Sequence, residues 1–153
     1  MLVYIKDKHL PTKECDNLIE FYKKNSDKAV LFRDVFPLKL EGKILKKTKK
    51  FLEPISVYLN NSVVEWSEIV RWPKQSYQNF HLDTARNTTI LTSITYLNND
   101  FIGGITYFAD GTQFAPCKGR TVFFDGQYFT HSVSPVIQGE RYVIATWYKK
   151  NIK

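Results

Sequence analysis

Two histidines and one aspartate are the residues of this sequence whose types and spacing could bind a catalytic metal ion. His81 and Asp83 are separated by one residue, so an extended backbone would point the imidazole and the carboxylate to the same side. By itself this pair is equally well explained as a hydrogen-bonded loop pair. His131 follows about fifty residues later in a strand-like segment, which leaves enough chain for an antiparallel fold to return it beside the pair.

The three side chains together indicate which metal they would suit. Two imidazoles and one carboxylate fit non-haem Fe(II), because they leave positions open for a chelating cosubstrate and dioxygen. Zinc is the rival metal, since zinc hydrolases also use two histidines and a carboxylate. Their usual signature, the helical HExxH pair, is absent from the sequence.

Arg141 is the candidate anchor for an anionic cosubstrate. It follows the turn signal at 138–140 and begins a predicted strand, so it would lie near His131 and could bind a carboxylate with two hydrogen bonds. An arginine in this position that stood alone would be a surface residue. Alternation instead places Arg141, Val143, Ala145 and Trp147 on one face of the strand. An arginine in line with valine and alanine needs an anion. Trp147 on the same face is a candidate for the core or for a substrate platform.

The elements that must position these residues change in character along the chain. A first helix is predicted to begin near Pro11 or Thr12 and to end in the cluster Lys23-Lys24-Asn25-Ser26. A second is predicted to begin near Gly42, with one apolar stripe from Ile44 through Asn60 and a lysine-rich outer side. A solvated face explains these lysines better than a nucleic-acid footprint does. A short strand from Leu2 to Ile5 precedes both helices, and His9 is predicted to be a surface residue.

Beyond residue 64 short β-rich runs alternate with turn signals. Helices followed by strands predict an α+β fold with a double-sheet jelly-roll core, and the length predicts a single domain over residues 1–153. The predicted strands cover Thr88 to Leu97, Gly104 to Ala109, Arg120 to Phe124, Tyr128 to Val133 and Arg141 to Tyr148.

Composition limits the class of protein and its location. The chain has 153 residues, of which 43% are apolar and 15% aromatic, which excludes a disordered or low-complexity protein. Its net charge of +7 allows an anionic partner without naming one. Two isolated cysteines, Cys15 and Cys117, predict free thiols in a reducing compartment, and no signal or membrane-spanning segment is predicted. We therefore expect a cytoplasmic protein with no membrane association.

From about Arg71 to Lys149 the sequence resembles the prolyl 4-hydroxylase-like branch of the 2-oxoglutarate oxygenases. The motifs that carry this resemblance occur in the family's order and spacing. They are His81-x-Asp83, Tyr96-Leu97-Asn98, Gly103-Gly104-Ile105-Thr106-Tyr107-Phe108, Pro116 with Gly119, His131, Pro135-Val136, Gly139, Arg141-Tyr142 and Trp147-Tyr148. The resemblance implies a double-stranded β-helix (jelly-roll) core backed by the N-terminal helices.

The resemblance also implies roles for individual residues. Fe(II) would be held by His81, Asp83 and His131, and Arg141 would pair with the distal carboxylate of 2-oxoglutarate. Dioxygen would be the second cosubstrate, and ascorbate a candidate accessory reductant. Further candidates are Tyr96 and Thr106 as donors to the same carboxylate, Tyr77 and Trp147 beside the substrate, and Trp72 where the family usually has a tyrosine that touches the cosubstrate.

Three functions follow as hypotheses. The first is hydroxylation of prolyl residues in a peptide or protein, in which decarboxylation of 2-oxoglutarate to succinate accompanies hydroxylation of a substrate C–H bond. The second keeps this chemistry but acts on a free amino acid, a small metabolite or a nucleobase. The third is a non-catalytic jelly-roll that binds a partner through its basic face. Sequence patterns leave the oligomeric state open.

Overall fold

In a computed structural model of the protein, which describes residues 3–152, two β-sheets face each other across a shared apolar core. The elements, in chain order, are β1 (Val3–Lys6), α1 (Thr12–Lys24), a 3-10 helix (Ser26–Lys28), β2 (Phe36–Lys39), α2 (Gly42–Asn60), β3 (Ser62–Trp72), β4 (Gln78–His81), β5 (Thr89–Tyr96), β6 (Ile102–Gly103), β7 (Thr106–Phe108), β8 (Gln113–Phe114), β9 (Thr121–Phe124), β10 (His131–Val133), β11 (Val136–Gln138) and β12 (Arg141–Lys150).

The larger sheet has six strands in the order β1-β9-β5-β12-β3-β2, and the smaller sheet has four in the order β4-β10-β7-β8. All their pairings are antiparallel, and β6 with β11 forms a separate two-stranded ribbon. The apolar core between the six-stranded and the four-stranded sheet contains buried side chains from both, among them Val70, Val143, Phe108 and Val133. This sandwich of sheets is the frame that holds the candidate site.

Both helices lie where the sequence predicts them. Pro11 is the residue that precedes α1, where its missing N–H is not needed by the helix. Asn61 ends α2 in the left-handed conformation, with a φ of 52°. The helices pack on the outer face of the larger sheet, where buried residues such as Leu18 contact the layer of Ile69 and Ile144.

β12 alternates between two environments, as its sequence predicts. Val143 faces the core between the sheets, whereas Tyr142 and Ile144 face the helices. The strand pairs with β3 on one side and β5 on the other, so its inward side chains are surrounded by two neighbouring strands. Arg141 therefore projects into the interior of the sandwich instead of into solvent.

Two predicted strands begin at least two residues before the strands of the structure, and the first predicted strand begins outside the described residues. The strand predicted from Gly104 begins at Thr106, because Gly103 and Gly104 have φ angles of 82° and 58° that do not suit a strand. The strand predicted from Tyr128 begins only at His131, since the preceding residues form a turn. Leu2, at the start of the first predicted strand, lies outside the described residues.

Two further features differ from the sequence predictions. β3, the longest strand with 11 residues, is not among the predicted strands. Helices cover one of its faces and the core between the sheets covers the other, so its sequence lacks a clean alternation of apolar and polar residues. His9 is not a surface residue, because its ring bridges the sheet hydroxyl of Thr121 and the helix carbonyl of Phe51 at 2.8 and 2.6 Å. Within residues 3–152 no helix is both long and apolar enough to cross a membrane.

Candidate metal and cosubstrate site

His81, Asp83 and His131 come together at one end of the smaller sheet. His81 is the last residue of β4 and pairs directly with His131 of β10, and the two rings lie 4.3 Å apart. Asp83 follows β4 in the loop, so its position is set by the loop and not by the strand alternation that the sequence suggested. Its Oδ1 atom lies 3.5 Å from His81 Nε2 and 3.3 Å from His131 Nε2. One ligand atom from each residue thus falls within 4.8 Å of the others, close enough to hold one metal ion.

Backbone carbonyls orient both imidazoles. His81 Nδ1–H donates to the carbonyl of Asn79 and His131 Nδ1–H to that of Phe129, each at 2.8 Å. Because the proton is fixed on Nδ1, each Nε2 keeps its lone pair for a metal. The two carbonyls therefore orient both rings with Nε2 toward Asp83.

Asp83 is held as a carboxylate in a sheltered position. Burial raises its pKa, but the nearby imidazoles of His131 and His81 and the hydroxyl of Thr92 outweigh that effect and leave the pKa below its ordinary value. The Thr92 hydroxyl donates to Oδ2 at 2.8 Å. Only Oδ1 remains directed at the histidines.

Arg141 is fully buried, with 0% of its surface exposed. Its Nη2 donates to Thr106 Oγ1 at 3.3 Å, and Tyr96 OH in turn lies 3.1 Å from that oxygen. Its Nε has no hydrogen-bond partner, and the ion pairs within residues 3–152 do not include it. Burial lowers the pKa of Arg141, and Tyr96 partly offsets this. An arginine so placed lacks the anion that its charge requires.

A second buried donor lies beside this guanidinium. The indole Nε1 of Trp72 is buried and also has no hydrogen-bond partner. Arg141 pairs with Trp72 across β12 and β3, and its Cζ lies 4.7 Å from the centre of the indole ring. Among the described residues, these two side chains are the ones left with unpaired buried polar atoms.

One cavity of about 530 Å³ connects these groups. It is lined by all three candidate metal ligands, by Arg141 and Trp72, and by the predicted substrate residues Tyr77 and Trp147. Tyr96 and Thr106 do not line it, but Thr106 accepts a hydrogen bond from Arg141 and the Tyr96 ring lies 5.5 Å from Cζ of Arg141. The structure thus brings every residue selected from the sequence to one cavity or to the side chains directly behind its wall.

Several lining residues were not identified from the sequence. Trp66 and Glu68 face the cavity from β3, and the Trp66 indole N–H donates to Glu68 at 2.6 Å. Arg86 stacks on Trp66 at 4.4 Å and lies 5.7 Å from Trp147. Trp66, Glu68, Val70 and Trp72 share one face of β3 because they are alternate residues of the strand, but buried residues on the other face leave no clean alternation that would have identified this wall.

The donor set fits an iron ion and a dicarboxylate. Two neutral imidazole nitrogens and one carboxylate oxygen form the ligand set of a mononuclear Fe(II) centre with open positions. The unpaired donors of Arg141 and Trp72 supply hydrogen bonds that a carboxylate group can accept. Fold and site together define the class of mononuclear iron oxygenases with a double-stranded β-helix.

The family sequence model of the 2OG-Fe(II) oxygenase superfamily matches residues 67–149. The chain belongs to this family. A protein of Acanthamoeba polyphaga mimivirus, provisionally named a prolyl 4-hydroxylase, is 28% identical in an aligned region covering 54% of this chain. That region spans 44% of the viral protein, so the chain matches less than half the length of this relative.

Solved structures confirm the predicted fold. A prolyl-4-hydroxylase of Pseudomonas putida superposes with a TM-score of 0.81 at 16% identity, over 97% of this chain and 92% of that one. The viral collagen prolyl hydroxylase of Paramecium Bursaria Chlorella virus-1, solved with 2OG, gives 0.78 at 24% identity, over 99% and 97%. A Trichoplax adhaerens prolyl hydroxylase, solved with a peptide fragment of hypoxia inducible factor, gives 0.81 at 15% identity, over 97% and 83%. The expected α+β double-stranded β-helix fold is therefore correct.

Proposed function

We propose that the protein is an Fe(II)- and 2-oxoglutarate-dependent hydroxylase that acts on prolyl residues of a peptide or protein. The observation that carries this proposal is a buried, unpaired arginine in the same cavity as two histidines and an aspartate. A metal-only site would not need that charge, and an anion site alone would not need the three ligands.

In this proposal each residue has a defined task. His81, Asp83 and His131 hold the iron, which, when bound, supplies the redox chemistry that couples decarboxylation of 2-oxoglutarate with dioxygen to hydroxylation of a C–H bond. Arg141 binds the distal carboxylate, and Thr106 and Tyr96 fix the guanidinium from behind. Their burial keeps water away from the cosubstrate's charged end.

The proline-containing substrate is proposed on two grounds. The mimivirus relative and the three solved structures described above are named as prolyl hydroxylases, and one of these structures was solved with a peptide. The cavity mouth in this chain carries Tyr77 and Trp147 together with exposed apolar side chains at Val30, Leu31 and Phe32. Apolar surface of this kind suits a peptide chain better than a small charged metabolite.

We also propose that residues 1–153 act as a single domain and that the protein works in the cytoplasm. The two cysteines support the second proposal, since both are free thiols. Burial raises the pKa of Cys15 to about 11, which keeps this thiol protonated and unreactive.

Two measurements test the proposed activity. Anaerobic addition of Fe(II) and 2-oxoglutarate should produce a metal-to-ligand charge-transfer absorption band that His131→Ala lacks. Mass spectrometry of short proline-containing peptides incubated with iron, 2-oxoglutarate and air should then show one added oxygen. A band without peptide oxidation would support the same chemistry on a free amino acid, a small metabolite or a nucleobase. The absence of a band would support a non-catalytic binding protein.

A further inference from the structure

A single turn supports two of the three candidate metal ligands. The turn joins β9 to β10 and begins at Asp125, whose carbonyl accepts the N–H of Phe129 at 3.1 Å. The carbonyl of Gly126 accepts the backbone N–H of Asp83 at 2.7 Å. The carbonyl of Phe129 accepts His131 Nδ1–H at 2.8 Å. Asp83 and His131 are thus fixed relative to each other through one short piece of backbone.

Gly126 is required in this turn for space. A Cβ atom at this position would lie 2.2 Å from Asp83 Oδ2 and 2.6 Å from Thr92 Oγ1, closer than real Cβ contacts come. Unlike the other glycines with contacts this close, Gly126 does not have a positive φ, so its backbone would accept an alanine. Any side chain there must therefore displace the carboxylate or the hydroxyl that binds it.

Thr92 acts on the same carboxylate from the larger sheet. Its hydroxyl donates to Oδ2 of Asp83, the oxygen that also faces Gly126. The other oxygen, Oδ1, faces the two Nε2 atoms. A carboxylate fixed in this way offers one oxygen to a metal and cannot easily rotate to offer both.

From this geometry we propose that Gly126 and Thr92 are positioning residues that make Asp83 a one-oxygen ligand. This inference rests on the proposed function, since it needs a metal at the three ligands. Neither residue touches the metal, and both act through Asp83.

The test is the affinity for Mn(II), measured from the free-ion electron paramagnetic resonance signal, a readout that does not require turnover. Gly126→Ala should weaken binding about 10-fold or more, and Thr92→Val by several-fold, as expected when the support of a metal ligand is removed. Thr92→Ser should bind like the wild type because it keeps the hydroxyl. In an Asp83→Ala background, Gly126→Ala should add no further loss.

Two matched controls separate positioning from general damage. Thr88→Val removes a threonine that donates to another carboxylate, Glu65. Gly111→Ala strains the backbone of a turn glycine with a φ of 91° but places nothing within 4 Å of the new Cβ, so it tests for damage unrelated to the site. Both should retain the wild-type affinity for Mn(II). Circular dichroism should show that each variant is folded, and Thr92→Val remains decisive if Gly126→Ala does not fold.

The proposal is overturned if folded Gly126→Ala and Thr92→Val bind Mn(II) within twofold of the wild type. It is also overturned if Gly126→Ala weakens binding equally with and without Asp83. Failure of the proposed function looks different, because the wild type itself would then bind no Mn(II) and Asp83→Ala would change nothing. That result would overturn the positioning role along with it.

Discussion

Arg141 is the buried positive charge of the cosubstrate site. Its guanidinium is fully buried, has one neutral hydroxyl partner within hydrogen-bond distance, and leaves Nε unpaired. Burying a charge in this way is unfavourable unless an anion joins it, so the site is stabilised by binding a carboxylate. The aromatic rings of Trp72 and Tyr96, 4.7 and 5.5 Å from Cζ, offset part of the cost while no anion is bound.

Replacing Arg141 with alanine should weaken 2-oxoglutarate binding by about 2–5 kcal/mol, a factor of roughly 30 or more, because a desolvated charge partner is lost. The affinity for Mn(II) should stay close to that of the wild type. Calorimetric titration of Mn(II) into the protein, followed by titration of 2-oxoglutarate into the Mn(II)-loaded protein, measures the two affinities. Arg71→Ala, which removes a partly exposed arginine paired with Glu140, is the control. Unchanged cosubstrate affinity in Arg141→Ala would contradict the assignment.

Trp72 supplies the other unpaired donor. Trp72→Phe keeps an aromatic ring beside Arg141 but removes the N–H, so it should weaken 2-oxoglutarate binding by about 1.5–3 kcal/mol, the worth of a hydrogen bond to a charged group. The same titration measures this change. Trp66→Phe is the matched control, because that indole donates to Glu68 and not to the cosubstrate end of the cavity. Equal affinities in the two variants would show that Trp72 only packs.

At the scale of elements, the helices stabilise the sheet from behind the site. The layer between the helices and the larger sheet contains Leu18, Ile69 and Ile144 and lies on the face of that sheet away from the cavity. His9 adds a polar link, because its Nε2–H donates to the α2 carbonyl of Phe51 while Nδ1 accepts from Thr121 of β9. Nδ1 can accept only when the ring is neutral.

The His9 link should make stability depend on pH. Burial lowers the pKa of His9 below its ordinary value, although the Phe51 carbonyl partly opposes this. A lowered folded-state pKa means that the contribution is complete above the unfolded value of about 6.5 and is lost as the pH falls through the folded value. Urea unfolding between pH 8 and pH 5 should therefore show a steeper loss of unfolding free energy for the wild type than for His9→Gln. Parallel curves would exclude the link.

At the scale of the whole molecule, the two sheets meet around the site, so ligand binding and folding are linked. Residues from β4, β10, β5, β3 and β12 line one cavity, and an unfolded chain would present no such arrangement. A ligand that binds only the folded state stabilises it by mass action.

Mn(II) and 2-oxoglutarate together, each at about 100 times its Kd, should each add about 2.7 kcal/mol, which corresponds to a rise in Tm of roughly 5–10 °C for one ligand. Differential scanning fluorimetry measures the shift. Asp83→Ala should lose the metal-dependent part, and Arg141→Ala the part that depends on 2-oxoglutarate. A metal-dependent shift that survives in Asp83→Ala, or a 2-oxoglutarate-dependent shift that survives in Arg141→Ala, would indicate binding elsewhere on the protein.

The sequence by itself determined the features that depend on local periodicity and residue type. These are the positions of both helices, the two faces of β12, and the candidate ligands with their arginine. The spacing of His81 and Asp83 predicted that their side chains lie close together, and they do although Asp83 lies in a loop, because either conformation allows them to converge.

Only the tertiary structure decided which buried groups lack partners and which residues support the ligands. The unpaired N–H of Trp72, the space requirement at Gly126 and the bridge made by His9 each depend on atoms brought together from distant parts of the chain. The length of β3 was also hidden, since a strand buried on both faces has no alternating pattern to read. Periodicity records how a residue relates to its neighbours in sequence, whereas strand register and sheet packing determine which groups from distant segments meet.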